Sequence, residues 1–185
     1  MAHQPELAIA LRGERRDDAL RVSYTFTNQG RYPVYVFTRV ASGLREPLSH
    51  RAYTAFREDE TALHLFLGIP PIPKGMHVYA KVVPFSSLLR PGETYTDYIE
   101  VPVPAVEWQP YADPEAADDT DPVEARRVLL STEYWWENRS IRAAPLDGHP
   151  GYFKAIGAPG FAATATLGLP EPIPVKKRRD AFERF

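Results

Sequence analysis

At 185 residues the chain has the size of a single domain and is long enough to bury a sizeable core. Hydrophobic residues make up 44% and charged residues 25%, with a net charge of −2, so wholesale disorder, a fibrous repeat and a strongly charged nucleic-acid binder are all excluded. Cysteine is absent, which removes disulfides, thiolate metal sites and cysteine nucleophiles. The 19 prolines disfavour long helices, and the 9 Phe, 10 Tyr and 3 Trp among Val and Thr suit a pleated, half-buried surface. The opening residues lack the basic, then apolar, then small order of an export signal, and no stretch reaches the roughly 18 apolar residues of a membrane span. A cytoplasmic protein is expected.

In chain order, Glu6 to Gly13 reads as a short strand that turns at the charged segment Glu14 to Asp18. It pairs back with residues 19 to 28, where Leu20, Val22, Tyr24 and Phe26 alternate with Arg21, Ser23, Thr25 and Thr27. Asn28-Gln29-Gly30 carries turn chemistry, and the following strand from Tyr32 to Val40 is apolar on both parities, so a three-stranded hairpin unit with a central third strand is predicted. Arg51 to Phe56 and Thr61 to Gly68 form the next two strands, the second buried on both faces. Pro70, Pro71 and Pro73 make Gly68 to Gly75 an extended loop, after which Met76 to Pro84 is predicted as a strand.

Arg90-Pro91-Gly92-Glu93 has the pattern of a type II turn. It leads into a strand over residues 94 to 103, in which Asp97 interrupts an apolar parity and so marks an edge or a bulge. From Glu107 to Glu124 there are seven carboxylates and no Lys or Arg, a solvated acidic insertion. Asp121-Pro122-Val123-Glu124 has the cap, proline and capping-box residues of one helical turn, followed by a strand through Tyr134-Trp135-Trp136. A long loop from Arg139 to Gly160 precedes the last strand, Phe161 to Leu169.

No period of 20–50 residues recurs, which excludes propellers and solenoids. Seven to nine short strands with Pro, Gly and Asn punctuation predict an all-β, antiparallel two-sheet β-sandwich, immunoglobulin-like in architecture, with at most one or two helical turns. The sandwich spans residues 1–175, and residues 176–185 form a basic tail.

Nucleotide-loop, serine-elbow and zinc-protease motifs are all missing, and the five histidines have no metal-binding spacing, so no cofactor and no metal are expected. Candidate binding residues are aromatic or acidic. Alternation sets Trp135 on the opposite face from Tyr134 and Trp136, which makes it the candidate surface hot spot if that face is open. Trp108, Tyr111, Asp118, Asp119 and Asp121 in the acidic insertion are candidate partner contacts. Lys176, Lys177, Arg178 and Arg179 open a tail of net charge +3, too small to hold nucleic acid strongly but able to dock on an acidic loop of its own or a neighbouring chain.

The expected function is a non-catalytic interaction module that engages a protein or peptide through long loops or a sheet edge. One alternative is a carbohydrate-acting enzyme using Glu133 and Asp97 as its carboxylates. The other is a self-assembling subunit whose acidic loop pairs with the basic tail.

Overall fold

The computed structural model describes residues 6–41, 49–112 and 121–178. Among them are twelve strands and no helix: β1 Leu7–Arg15, β2 Ala19–Asn28, β3 Val34–Arg39, β4 Tyr53–Arg57, β5 Ala62–Leu67, β6 Phe85–Leu89, β7 Thr94–Pro102, β8 Ala105–Val106, β9 Val123–Trp135, β10 Arg142–Pro145, β11 Tyr152–Ile156 and β12 Phe161–Lys176. They form two sheets. The smaller has the order β1, β2, β7, and the larger runs β10, β11, β6, β3, β9, β12, β8, with β4 and β5 branching from β9.

The alternation of β2 decides the smaller sheet: Leu20, Val22, Tyr24 and Phe26 are buried, and each such side chain contributes roughly 1.5–3 kcal/mol on leaving water. They share one core with Ile99 and Val101 of β7 and with Val128, Leu130 and Tyr134 of β9. β1 pairs antiparallel with β2 from Leu7 opposite Asn28 to Arg15 opposite Leu20, as the pattern predicts. Among the described residues β7 pairs with β2 alone, an edge position, and its Asp97 is held by Arg39 of β3 at 2.7 Å.

The predicted hairpin of β2 with β3 does not form, because Asn28 sends the chain from one sheet to the other. Its buried amide donates to the carbonyls of Tyr32 (2.8 Å) and Leu89 (2.9 Å), and its side-chain oxygen accepts from Gly30 N (2.9 Å). Both N–H donors and one acceptor position of that side chain are thus engaged, and the bond to Leu89 joins the two sheets. β3 lies centrally, as expected, but between β6 and β9. The type II turn forms, with Gly92 at φ 80° and Glu93 N donating to Arg90 O at 2.9 Å.

In the larger sheet β9 carries three neighbours. β12 runs antiparallel along one side, while β5, in parallel, and then β3 share the other. Both parities of β9 are therefore buried from Val128 to Thr132. At the far end β8 lies beside Val175 and Lys176, and Trp108 bridges back to Thr54 of β4. These two links curl the sheet into a half-barrel. Glu107 lies inside the curl, fully buried, and its two carboxylate oxygens accept from Phe56 N (2.8 Å) and Arg178 N (2.9 Å).

Three further expectations are corrected. Asp121 to Glu124 is not a helical turn: β9 begins at Val123, and the ladder of Val123, Glu124 and Ala125 with Val175, Pro174 and Ile173 outweighs a capping preference of about 1 kcal/mol. Met76 to Pro84 contains no strand, and its Val82 N is instead held by the Tyr111 hydroxyl at 2.9 Å. The segment 139 to 160 is not all loop, since β10 and β11 pair within it and extend the larger sheet beyond β6.

Candidate functional site

One side of β12 is only partly paired. One of its sides pairs with β9 from Phe161 to Gly168; on the other, β8 reaches only Val175 and Lys176. The outer backbone edge from Phe161 to Leu169 has no hydrogen-bonded strand partner among the described residues, although β1 lies alongside β12. Those nine residues carry no charge. Along them Ala162, Thr164, Thr166 and Gly168 are exposed, whereas Phe161, Ala163 and Leu167 pack against the core beside Leu7, Ile9 and Leu11 of β1. Pro159 and Pro170 bracket this edge, and Pro170 and Pro172 fall in the bulge between Gly168 and Ile173, where a missing N–H costs no ladder bond. Natural sheets usually guard such an edge with charge or proline; here only the two ends are guarded.

An aromatic group adjoins the start of this edge. The Phe161 ring lies 5.0 Å from that of Trp136 and 5.6 Å from that of Tyr134, and Tyr32, from the connection between β2 and β3, lies 6.0 Å from Trp136. Tyr32 is 55% exposed and Trp136 partly so. One connection, the residue after β9 and the first residue of β12 therefore bring three rings together at the surface.

At the other end of the edge, where β12 bulges, an apolar slot of about 390 Å³ opens between the sheets. Leu20 and Ile173 are its buried members, Leu167, Leu169 and Pro170 line it, and Arg15 stands at its rim with Glu171.

Trp135, the predicted surface aromatic, is 1% exposed, with its ring between Tyr35 (5.6 Å) and Phe37 (4.9 Å). Alternation separates Trp135 from Trp136 correctly but cannot say which is open when both faces of a strand are covered; Trp136 is open because β9 ends one residue before it. Trp108 is half-buried, stacked under the Arg51 guanidinium at 4.1 Å and beside Tyr53 at 5.5 Å. Tyr111 holds Val82, and Asp121 is exposed. Asp118, Asp119 and Arg179 lie outside the described residues. Lys176 ends β12, Lys177 pairs with Glu58, and Arg178 is held through its backbone by Glu107, so the start of the tail is docked on its own chain. None of these predicted residues belongs to the edge of β12.

Glu133 and Asp97 serve separate partners. Asp97 accepts from Arg39 (2.7 Å), the Tyr95 hydroxyl (2.9 Å) and Tyr98 N (2.9 Å), and Tyr95 in turn meets the Tyr152 hydroxyl at 3.2 Å, which straps β7 to β3 and β11. Glu133 accepts from Ile69 N at 2.7 Å. Gly68 permits this approach, because a Cβ there would collide with the Phe66 ring and stand 2.7 Å from the Glu133 carboxylate. His64 Nε2 and Thr164 Oγ1 each lie 2.8 Å from Ser131 Oγ, a chain buried at His64 and Ser131 that ties β5, β9 and β12 together.

Burial raises the Glu133 carboxyl above the ordinary carboxylate range, against the opposing bond from Ile69. A raised folded-state pKa means that this group favours folding fully below the ordinary value and progressively less as the pH climbs through the shifted one. Glu133→Gln keeps an acceptor for Ile69 and removes the titration. Its urea midpoint is expected to fall less than that of the parent protein on going from about pH 4.5 to 7; parallel pH profiles would refute the assignment.

No helix among the described residues is long and apolar enough to cross a membrane, and no group of three His, Asp or Glu suited to a metal occurs among them. A scan against protein-family models, a search of curated proteins and a search of solved structures each find no match.

Proposed function

We propose that the chain is a non-catalytic binding module, immunoglobulin-like in its scaffold, that takes an extended segment of a protein partner as an added strand along β12. The observation that carries this reading is the nine-residue, uncharged, unpaired edge from Phe161 to Leu169. Edge addition supplies affinity through main-chain hydrogen bonds and specificity through what the alternate side chains meet. Tyr32, Trp136 and Phe161 provide the anchor at one end, since Trp and Tyr combine a large contact area with a polar tip and dominate interface energetics.

The test is affinity capture with the full chain and with the double variant Tyr32→Ala/Trp136→Ala. Removal of both rings is expected to weaken retention of the captured partner by roughly 30-fold, the effect of losing about 2 kcal/mol. Far-ultraviolet circular dichroism should remain unchanged, because Tyr32 is mostly outside the core. Equal retention by a folded double variant would remove the aromatic anchor from the proposal. Equal retention after Ala162→Lys/Gly168→Lys would remove the edge as well.

A further inference from the structure

We propose that the apolar slot at the bulge of β12 binds a free α-amino acid with a large apolar side chain, independently of any partner strand. The inward parity of β1 runs Leu7, Ile9, Leu11, Gly13, Arg15. The first three pack against the core, and the fourth supplies no side chain. A Cβ at Gly13 would stand 3.0 Å from Leu167 Cδ2 and 3.9 Å from Leu20 Cδ1, two side chains that line the slot. On the facing strand, Gly168 lies opposite Arg127 of β9 and Ile173 opposite Ala125, so residues 169–172 stand away from the ladder. β1 lies alongside β12 without a hydrogen-bonded ladder between them. A missing side chain on one strand and a bulge on the other thus hold open about 390 Å³.

The lining chooses the occupant. Buried Leu20 and Ile173, with partly buried Leu167 and Leu169, take an apolar body. The volume lies near the lower end of the roughly 300–1,000 Å³ of small-molecule sites, which suits one side chain of leucine to tryptophan size better than a long acyl chain. The rim carries one charge of each sign, Arg15 and Glu171. Both are exposed, and neither has an ion-pair partner among the described residues, the other included. A ligand with only a negative charge would gain at Arg15 and lose at Glu171, and one with only a positive charge the reverse. An α-amino acid offers a carboxylate to the guanidinium and an ammonium to the carboxylate from the same carbon that bears its apolar side chain.

Isothermal titration of the full chain with tryptophan tests the proposal, saturable binding being expected. Tryptophanamide lacks the carboxylate and N-acetyltryptophan lacks the ammonium, and each is expected to bind about 5-fold more weakly. Arg15→Gln should weaken tryptophan by a similar factor and leave tryptophanamide unchanged, whereas Glu171→Gln should weaken tryptophan and leave N-acetyltryptophan unchanged. Gly13→Val continues the apolar stripe of β1 into the slot, with the flexible end of Leu167 giving way. It is expected to weaken tryptophan by about 10-fold or more, while the urea midpoint holds or rises because a strand gains from losing a glycine. Arg15 and Glu171 are exposed, so their variants decide the matter even if the valine variant does not fold. Absence of saturable binding by both tryptophan and leucine overturns the proposal, as does a tryptophan affinity indifferent to both rim substitutions. Equal binding by a folded Gly13→Val variant puts the ligand elsewhere and overturns the slot. Dodecanoate binding more tightly than tryptophan overturns the amino acid as the occupant.

Discussion

Replacing Glu107 by alanine is expected to destabilise the protein by about 2–5 kcal/mol, measured by urea unfolding. The argument is local. Phe56 N and Arg178 N both point at this one carboxylate, at 2.8 and 2.9 Å, from two different strands' ends. Glu107 is fully buried, so water cannot take over its role without opening the curl. Each donor abandoned in that setting costs about 1–3 kcal/mol, and bonds to a charged acceptor are the stronger class. Glu107→Gln retains one acceptor oxygen and should lose less. The alanine variant should also expose the backbone near Lys177 and Arg178 to proteolysis, since the Arg178 amide donates to this carboxylate. A Glu107→Ala midpoint within about 1 kcal/mol of the parent would show that the carboxylate is not what closes the curl.

Trp135→Ala is expected to cost about 3–5 kcal/mol, the usual range for removing a large aromatic side chain from a packed core. The indole is among the largest fully buried side chains and is packed between two other rings. Trp135→Phe should be far milder, near 1 kcal/mol, for a specific reason. The indole Nε1 is buried without an acceptor among the described residues, so phenylalanine removes an unsatisfied donor along with part of the volume. If the two variants were equally damaging, the N–H would have to be satisfied in solution. Partner capture by Trp135→Phe should equal that of the parent protein, in contrast to Tyr32→Ala/Trp136→Ala.

The parts of the fold that were legible in the sequence are those decided by near neighbours. β2 announces itself through Leu20, Val22, Tyr24 and Phe26, and its pairing with β1 needs only a short turn. The hairpin of β4 with β5 and the Gly92 turn are equally local. β6 is hidden because Ser86 and Ser87 look like loop residues; they are buried between β11 and β3, with Phe153 O accepting from Ser86 Oγ and Thr38 Oγ1 meeting Ser87 Oγ at 2.9 Å, partners remote in the chain. Asn28 is a turn residue, as its type predicts, but its choice of Leu89 as a partner, and with it the change of sheet, is a tertiary fact. The same holds for the candidate site. An uncharged run from Phe161 to Leu169 is visible in the sequence, whereas its unpaired outer side depends on how short β8 is.

The three neighbours of β9 also set a timetable. β3 and β5 are synthesised long before β9, and β12 follows it, so the earlier strands wait for a central strand that does not yet exist. At about 5–20 residues per second, the roughly 70 residues between the end of β7 and the end of β12 take several seconds to emerge. Until β9 emerges, only the β3–β6 and β4–β5 pairs are there to oppose the apolar side of β2, finished early with β1 and β7. The nascent chain therefore leaves the Val128, Leu130 and Tyr134 part of its core unmade until β9 is out, a delay set by joining so much of the sheet through one late strand.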